Sequence, residues 1–227
     1  MPKLRKLLRL NQSASTVGTR RQSNTTNGVD TIHEDALRAM LVNDPNDVRA
    51  FQALSEIVRR RATENVVTDN PLAAPVEAEE IERAANLAVW SLAEELAGNP
   101  KAWYPLLALA KLSLEDDTQS AIRRLETAAD RDPSGQALAE SIELLRDAKL
   151  HAEALGLGTG HWRVKEHTAL VGRNLVVTAL EADRVADART HYETLASHLA
   201  DSKPGQEHER AGLDELKDLI ARSSDTP

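Results

Sequence analysis

NPKAWYPLLALAKLSLEDDTQSAIRRLETAADRDP, Asn99–Pro133, holds two helical patterns joined by an acidic turn, with a proline at each end. In the first half Leu106, Leu109 and Leu112 recur at three-residue steps with Ala110 beside them. In the second, Ala121, Ile122, Leu125, Ala128 and Ala129 fall at helical spacing. Each half is amphipathic and too short to be stable alone in water, so the two stripes must be buried against each other. The stretch predicts an antiparallel helical hairpin, and the rest of the chain reads as variations on it.

Composition supports the same class. The 227 residues are 41% hydrophobic, enough for a core, but aromatics make up only 3%. Interior volume must come from Leu, Ala, Val and Ile, and small side chains suit helices packed closely in thin layers. Aromatic and β-branched strand formers are scarce, so an all-α fold with almost no sheet is expected. Cysteine is absent, which excludes disulfides, thiolate nucleophiles and cysteine-ligated metal sites. No apolar run reaches the ~18 residues a membrane span requires.

Charge is unevenly spread. Residues 1–29 carry Lys3, Arg5, Lys6, Arg9, Arg20 and Arg21 and no acid, which leaves 22 bases against 36 acids, or −14, for the remainder. Residues 1–10, MPKLRKLLRL, place Leu4, Leu7 and Leu8 on one helical face among the bases. From Asn11 to Gly28, every position except Ala14, Val17, Arg20 and Arg21 is Ser, Thr, Asn, Gln or Gly. Such a composition cannot offset its ordering entropy and reads as a disordered tether. Residues 1–30 are therefore expected to form a flexible basic arm on an acidic body.

Thr31 and Glu34 form a capping-box signature ahead of Ile32, Ala36, Leu37, Met40 and Leu41, and this first helix should stop at Asp44-Pro45. A second helix carries Val48, Phe51, Leu54, Ile57 and Val58 and fades in Arg59-Arg60-Arg61, before a loop over Asn65–Pro75 marked by two prolines. Glu77–Ala97 restore the helical period. Beyond Pro133 a helix holds Leu138, Ile142, Leu145, Ala148 and Ala152 and runs out in the Gly-rich segment 156–161, read as a hinge. Trp162–Leu180 and Val185–Ala200 form a second helical hairpin, and after Lys203-Pro204-Gly205 a last helix with Leu213, Leu216, Leu219 and Ile220 suits a solvated cap. The expected divisions are an array over 31–155, the hinge, a hairpin plus cap over 162–222 and a tail over 223–227.

Over residues 46–133 the pattern of these helices resembles the tetratricopeptide repeat family, whose unit of about 34 residues is helix A, turn, helix B, then an acidic residue and proline. The step from Pro100 to Pro133 is one position short of that period. Phe51 falls where the family places its large helix A residue, Leu54 and Ser55 at its Leu-Gly pair, and Ala88 at its helix B alanine. In the next unit Leu106, Leu109 and Ala110 repeat the A pattern and Ala121, Leu125 and Ala128 the B pattern, while Ala188 and Tyr192 give a fainter copy. The first unit departs from the pattern, because Pro45 to Pro100 is much longer than one period, and no unit has the full tryptophan, glycine and tyrosine signature.

The resemblance implies antiparallel hairpins stacked as a right-handed array, with helix A faces lining a groove for a partner peptide or helix. By the matched spacing the groove residues are Arg49, Gln52, Glu56 and Arg59 in one unit and Tyr104, Leu107 and Lys111 in the next. Arg49, Arg59 and Lys111 suit an acidic or carboxylate-terminated ligand.

Other chemistry finds little support. GLGTGHW, residues 156–162, follows a helix rather than a strand and offers His161 where a phosphate loop has lysine. His161 and His167 bracket Trp162, but His191 and His198 lie on one helix with an axial separation of roughly 10 Å, which one ion cannot bridge. No nucleophile motif is present. The expectation is a non-enzymatic interaction protein without cofactor or metal, in the cytoplasm. The basic arm leaves RNA or ribosome association as the alternative, and its Arg-rich, Ser-rich start also looks like a mitochondrial transit peptide.

Overall fold

Leu- and Ala-rich segments in helical register, with few residues that favour strands, satisfy their backbone hydrogen bonds locally as helices. The computed structural model describes residues 23–68, 77–200 and 207–224, and among these the regular structure is entirely α-helical. The described helices are α1 Ser23–Asn43, α2 Val48–Thr68, α3 Ala78–Ala97, α4 Tyr104–Ser113, α5 Thr118–Arg131, α6 Gln136–Asp147, α7 His151–His161, α8 Ala169–Glu181, α9 Val185–Ala200 and α10 Glu207–Ser224. The described residues up to Ala36 belong to one unit and those from Leu37 onward to another. The packing below is that of the second.

Within it the helices pack in chain order. α2 lies on α3, α4 on α5, α6 on α7 and α8 on α9, and each pair packs on the next. The odd and even rows also touch, α4 with α6, α6 with α8, α8 with α10 and α5 with α7. One hydrophobic core runs from Leu37 to Ile220, built on buried Leu54, Leu125, Leu138, Ile142, Leu145, Leu175 and Leu195. Each such side chain stabilises the fold by about 1.5–3 kcal/mol.

Polar side chains in the connections fix one hairpin against the next. Trp103, at the N-cap of α4, provides no side-chain cap, and Asn46 supplies it from the α1–α2 turn. Its Oδ1 accepts from the Trp103 and Tyr104 N–H groups at 2.7 and 3.1 Å, and its Nδ2 donates to the Lys101 carbonyl at 2.8 Å. Arg131, in the last turn of α5, donates to the carbonyls of Ala97, Asn99 and Ala102 at 2.9, 3.1 and 2.9 Å, satisfying acceptors where α3 ends. Buried Asp132 caps α6 from before its start, accepting from the Ala137 N–H at 2.7 Å and from the Ser134 N–H and hydroxyl. Asn174 of α8 donates to the Ala139 carbonyl of α6 at 2.9 Å.

Five sequence expectations are corrected. The backbone is already helical at Ser23, so Thr31 and Glu34 lie inside α1 rather than at its start, and Ser23–Gly28 of the expected tether are helical. α2 continues through Arg59-Arg60-Arg61 to Thr68, which removes Asn65–Thr68 from the expected loop. The single helix expected over Leu138–Ala152 is two, broken at Lys149 in a left-handed conformation. The Gly-rich segment is no break: Gly156, Gly158 and Gly160 are helical, within α7. α8 begins at Ala169, not at Trp162. The break expected at Lys203-Pro204-Gly205 and the arm of residues 1–22 lie outside the described residues.

The third hairpin, α6–α7, repeats the fourth. Lys149 at φ 64° and Asp183 at φ 58° occupy the same left-handed place after α6 and α8. In both turns the N–H three residues past the helix end reaches back five residues, Leu150 to Leu145 and Arg184 to Ala179. The accompanying three-residue bonds join Lys149 to Arg146 and Asp183 to Leu180, which completes a Schellman motif. Between the two copies, Ala148, Ala152 and Ala154 match Ala182, Ala186 and Ala188.

Gly158 is what makes the α6–α7–α8 junction possible. A Cβ there would meet Leu175 Cδ2 at 2.4 Å and Ile142 Cδ1 at 2.9 Å, and both neighbours are fully buried, whereas Gly156 and Gly160 face open space. In urea unfolding, Gly156→Ala and Gly160→Ala are expected each to stabilise by about 0.5–1 kcal/mol, through better helix propensity. Gly158→Val is expected to destabilise by about 1–3 kcal/mol. Arg131→Met, which removes the guanidinium donor from three carbonyls, of which Asn99 keeps the Ala102 N–H, is expected to lower stability by about 1–3 kcal/mol in the same assay.

Candidate functional site

A helix held on two sides by its neighbours exposes its third side, and α2, α3 and α4 together turn such faces toward a cavity of about 520 Å³. Phe51 and Tyr104, in the first turns of α2 and α4, meet edge to face with ring centroids 5.3 Å apart and form the aromatic end. Trp103 braces Tyr104 from the other side at 5.8 Å. The Tyr104 hydroxyl accepts from the Gln52 side-chain amide at 3.3 Å. The first turns meet, and residues as far on as Arg59 and Lys111 line the same cavity, so α2 and α4 run in one direction along it.

Further along stand Ser55 and Glu56 of α2 opposite Ala108 of α4, then Arg59 with Asn86 of α3, and Lys111, Glu115 and Asp116 of α4 and the turn after it. The Arg59 guanidinium donates to Asn86 Oδ1 at 2.7 Å. Among the described residues, Glu56, Lys111, Glu115 and Asp116 make no ion pair or hydrogen bond through their side chains, although they share one cavity. Ser55 is 8% exposed, and its buried Oγ has no hydrogen-bond partner. The other buried Ser and Thr hydroxyls of the described helices, on Ser113, Ser141 and Thr178, all donate to the carbonyl four residues back. An unmade hydrogen bond at such a place costs about 1–3 kcal/mol, so Ser55 is an unsatisfied polar group buried behind the wall.

Of the seven groove residues expected from sequence, Gln52, Glu56, Arg59, Tyr104 and Lys111 line this cavity. Arg49 is exposed outside it. Leu107 is a correction, since it is 7% exposed and belongs to the core. α4 packs on α3, α5 and α6 at once, which takes a side chain expected to face the groove into the interior. Asn86, Glu115 and Asp116 were not expected. Their signal was weak, a lone amide in an amphipathic helix and an acidic turn that favours the following helix in any case. The arm residues Lys3, Arg5, Lys6, Arg9, Arg20 and Arg21 lie outside the described residues.

Four histidines make contacts within the fold. His161 Nδ1 lies 3.1 Å from Asp130 and His151 Nε2 3.5 Å from Glu181, one at each end of α7. His191 packs edge to face on Trp162. Among the described residues no three His, Asp or Glu side chains are grouped to hold a metal ion. His167, 8% exposed, accepts from the Arg163 N–H through Nδ1 at 3.4 Å. Burial first, then the Arg163 charge, push its pKa below the ordinary imidazole value, against the pull of Asp132 and Glu166.

Comparison with known proteins returns no match: no family model fits the sequence, and no curated protein and no solved structure is similar to it. No described helix is long and apolar enough to cross a membrane.

The lowered His167 pKa sets a pH dependence. Its neutral form is favoured in the folded chain, so the contribution is fully present above the unfolded value of 6.5 and is lost as pH falls from there through the lower folded value. Urea midpoints are expected to fall between pH 7.5 and pH 5. His167→Gln, which keeps a hydrogen-bonding side chain but cannot titrate, is expected to flatten that fall.

Proposed function

We propose that this chain is a non-enzymatic adaptor: a divergent tetratricopeptide-like array that holds an extended peptide segment of a partner protein in the α2–α3–α4 cavity. The observation that carries the reading is the cavity's charged side chains without partners, Glu56 and Lys111 above all, standing beside the Phe51–Tyr104 aromatic pair. Aromatic side chains supply contact area, and the charged and polar groups of a peptide supply the partners that these side chains lack. Two further features support the family resemblance. The A-row helices of consecutive hairpins touch, α4 with α6 and α6 with α8, and their starts at Tyr104, Gln136 and Ala169 follow one another at close to the repeat period. The alternative, RNA association through the basic arm, rests on the six bases without an acid in residues 1–29.

Selection from an unbiased displayed peptide library on the full chain tests the two readings. Peptides are expected to be enriched, to bind equally well to a chain lacking residues 1–22, and to lose at least ~10-fold in affinity on Tyr104→Ala or Lys111→Glu, a change of about 1.4 kcal/mol or more. Absence of any groove-dependent peptide, together with salt-sensitive RNA binding that disappears with residues 1–22, would transfer the function to the arm.

A further inference from the structure

The order of charges along the cavity specifies what kind of peptide fits it. Arg59 lies eight residues beyond Phe51, and Lys111 seven beyond Tyr104. At the helical rise these are about 12 and 10 Å from the aromatic end, so the two cations flank the cavity at nearly one level. Glu56 precedes Arg59 by three residues, about 4.5 Å nearer the aromatic end, and Glu115 and Asp116, in the turn where α4 ends, follow Lys111 on the far side. The cavity therefore reads negative, positive, negative along its length.

Resting on the peptide-groove reading above, we infer that the site selects an extended segment with an acidic residue flanked at i−2 and i+2 by basic ones, Lys/Arg-x-Glu/Asp-x-Lys/Arg. In an extended chain residues i and i+2 project to the same side about 6.6 Å apart, roughly 2 Å more than the step from the Glu56 level to the cations, a difference that long basic side chains of the ligand span. The central carboxylate meets Arg59 and Lys111, and one base meets Glu56 and the other Glu115 and Asp116. Arg59 is held in place for this by Asn86, whose carbonyl oxygen occupies one guanidinium nitrogen and leaves the others to a carboxylate. A purely acidic ligand would satisfy the two cations but set its neighbouring charges against three acids. This narrows the sequence expectation of a simply acidic ligand: Glu115 and Asp116 add a negative end that the A-helix spacing did not include.

The test is fluorescence anisotropy of short labelled peptides with the full chain. The probes carry a Lys-x-Glu-x-Lys core, the same residues permuted to Glu-x-Lys-x-Lys, and an all-acidic Glu-x-Glu-x-Glu core. The first is expected to bind at least ~10-fold tighter than either of the others. Lys111→Glu, at an exposed position, is expected to weaken it by a similar factor without changing the helical circular dichroism, and a Lys-x-Lys-x-Lys peptide is expected to recover most of the loss. Equal binding of the all-acidic or permuted peptide overturns the charge-order inference and leaves the groove reading standing. Failure of every peptide, in a chain from which the library also recovers nothing, overturns both.

Discussion

Close approach between neighbouring helices, made possible by alanine and glycine at their crossings, is the constraint on which the rest of this molecule depends. Ala93, Ala110, Ala121, Ala128, Ala154, Ala179 and Ala188 are fully buried, and Gly158 leaves no room even for a methyl group between Leu175 and Ile142. With so few aromatic rings to fill space, a wider separation would leave voids that leucine cannot close, and dispersion contacts would be lost outright. Small residues bring the helices together, and the leucines between them then exclude water along a core that passes from each hairpin to the next.

Side-by-side packing by itself permits sliding, because ridges and grooves repeat every turn. Directional polar contacts select one arrangement. Asn46 reaches across to cap α4, Arg131 collects three carbonyls at the end of α3, Asp132 caps α6 and Asn174 ties α8 to α6. Each satisfies backbone groups that a helix terminus leaves without partners, or an amide the core would otherwise bury alone. The Asn46 contact also fixes Tyr104 against Phe51, so the geometry of the loops sets the shape of the cavity. Glu56 and Lys111 face that cavity without pairing.

The sequence conceals the third hairpin for a physical reason. Glycine has poor helix propensity, so GLGTG reads locally as a break, yet tertiary burial of Leu155, Leu157 and Gly158 overrides that preference. The turn at Lys149 is hidden as well, since a lysine in a left-handed conformation carries none of the glycine signal that usually marks a helix end. Both features share one cause: local preferences of about 1 kcal/mol or less per residue are outweighed by packing worth several times as much.

Residue pattern alone determined the all-helical class, the hairpin of α4 and α5, the short antiparallel turns and five of the thirteen residues that line the cavity, because helical periodicity records which side of a helix is buried. Only the tertiary structure decided that Leu107 is interior, that the Gly-rich segment is a packed helix, that Ser55 is left without a partner, and that Asn86, Glu115 and Asp116 join Arg59 and Lys111 around one cavity. Those facts depend on which helices touch and how closely. A stripe along one helix states that a face is covered, and the identity of the neighbour that covers it is set by shape and hydrogen bonding across residues far apart in the chain.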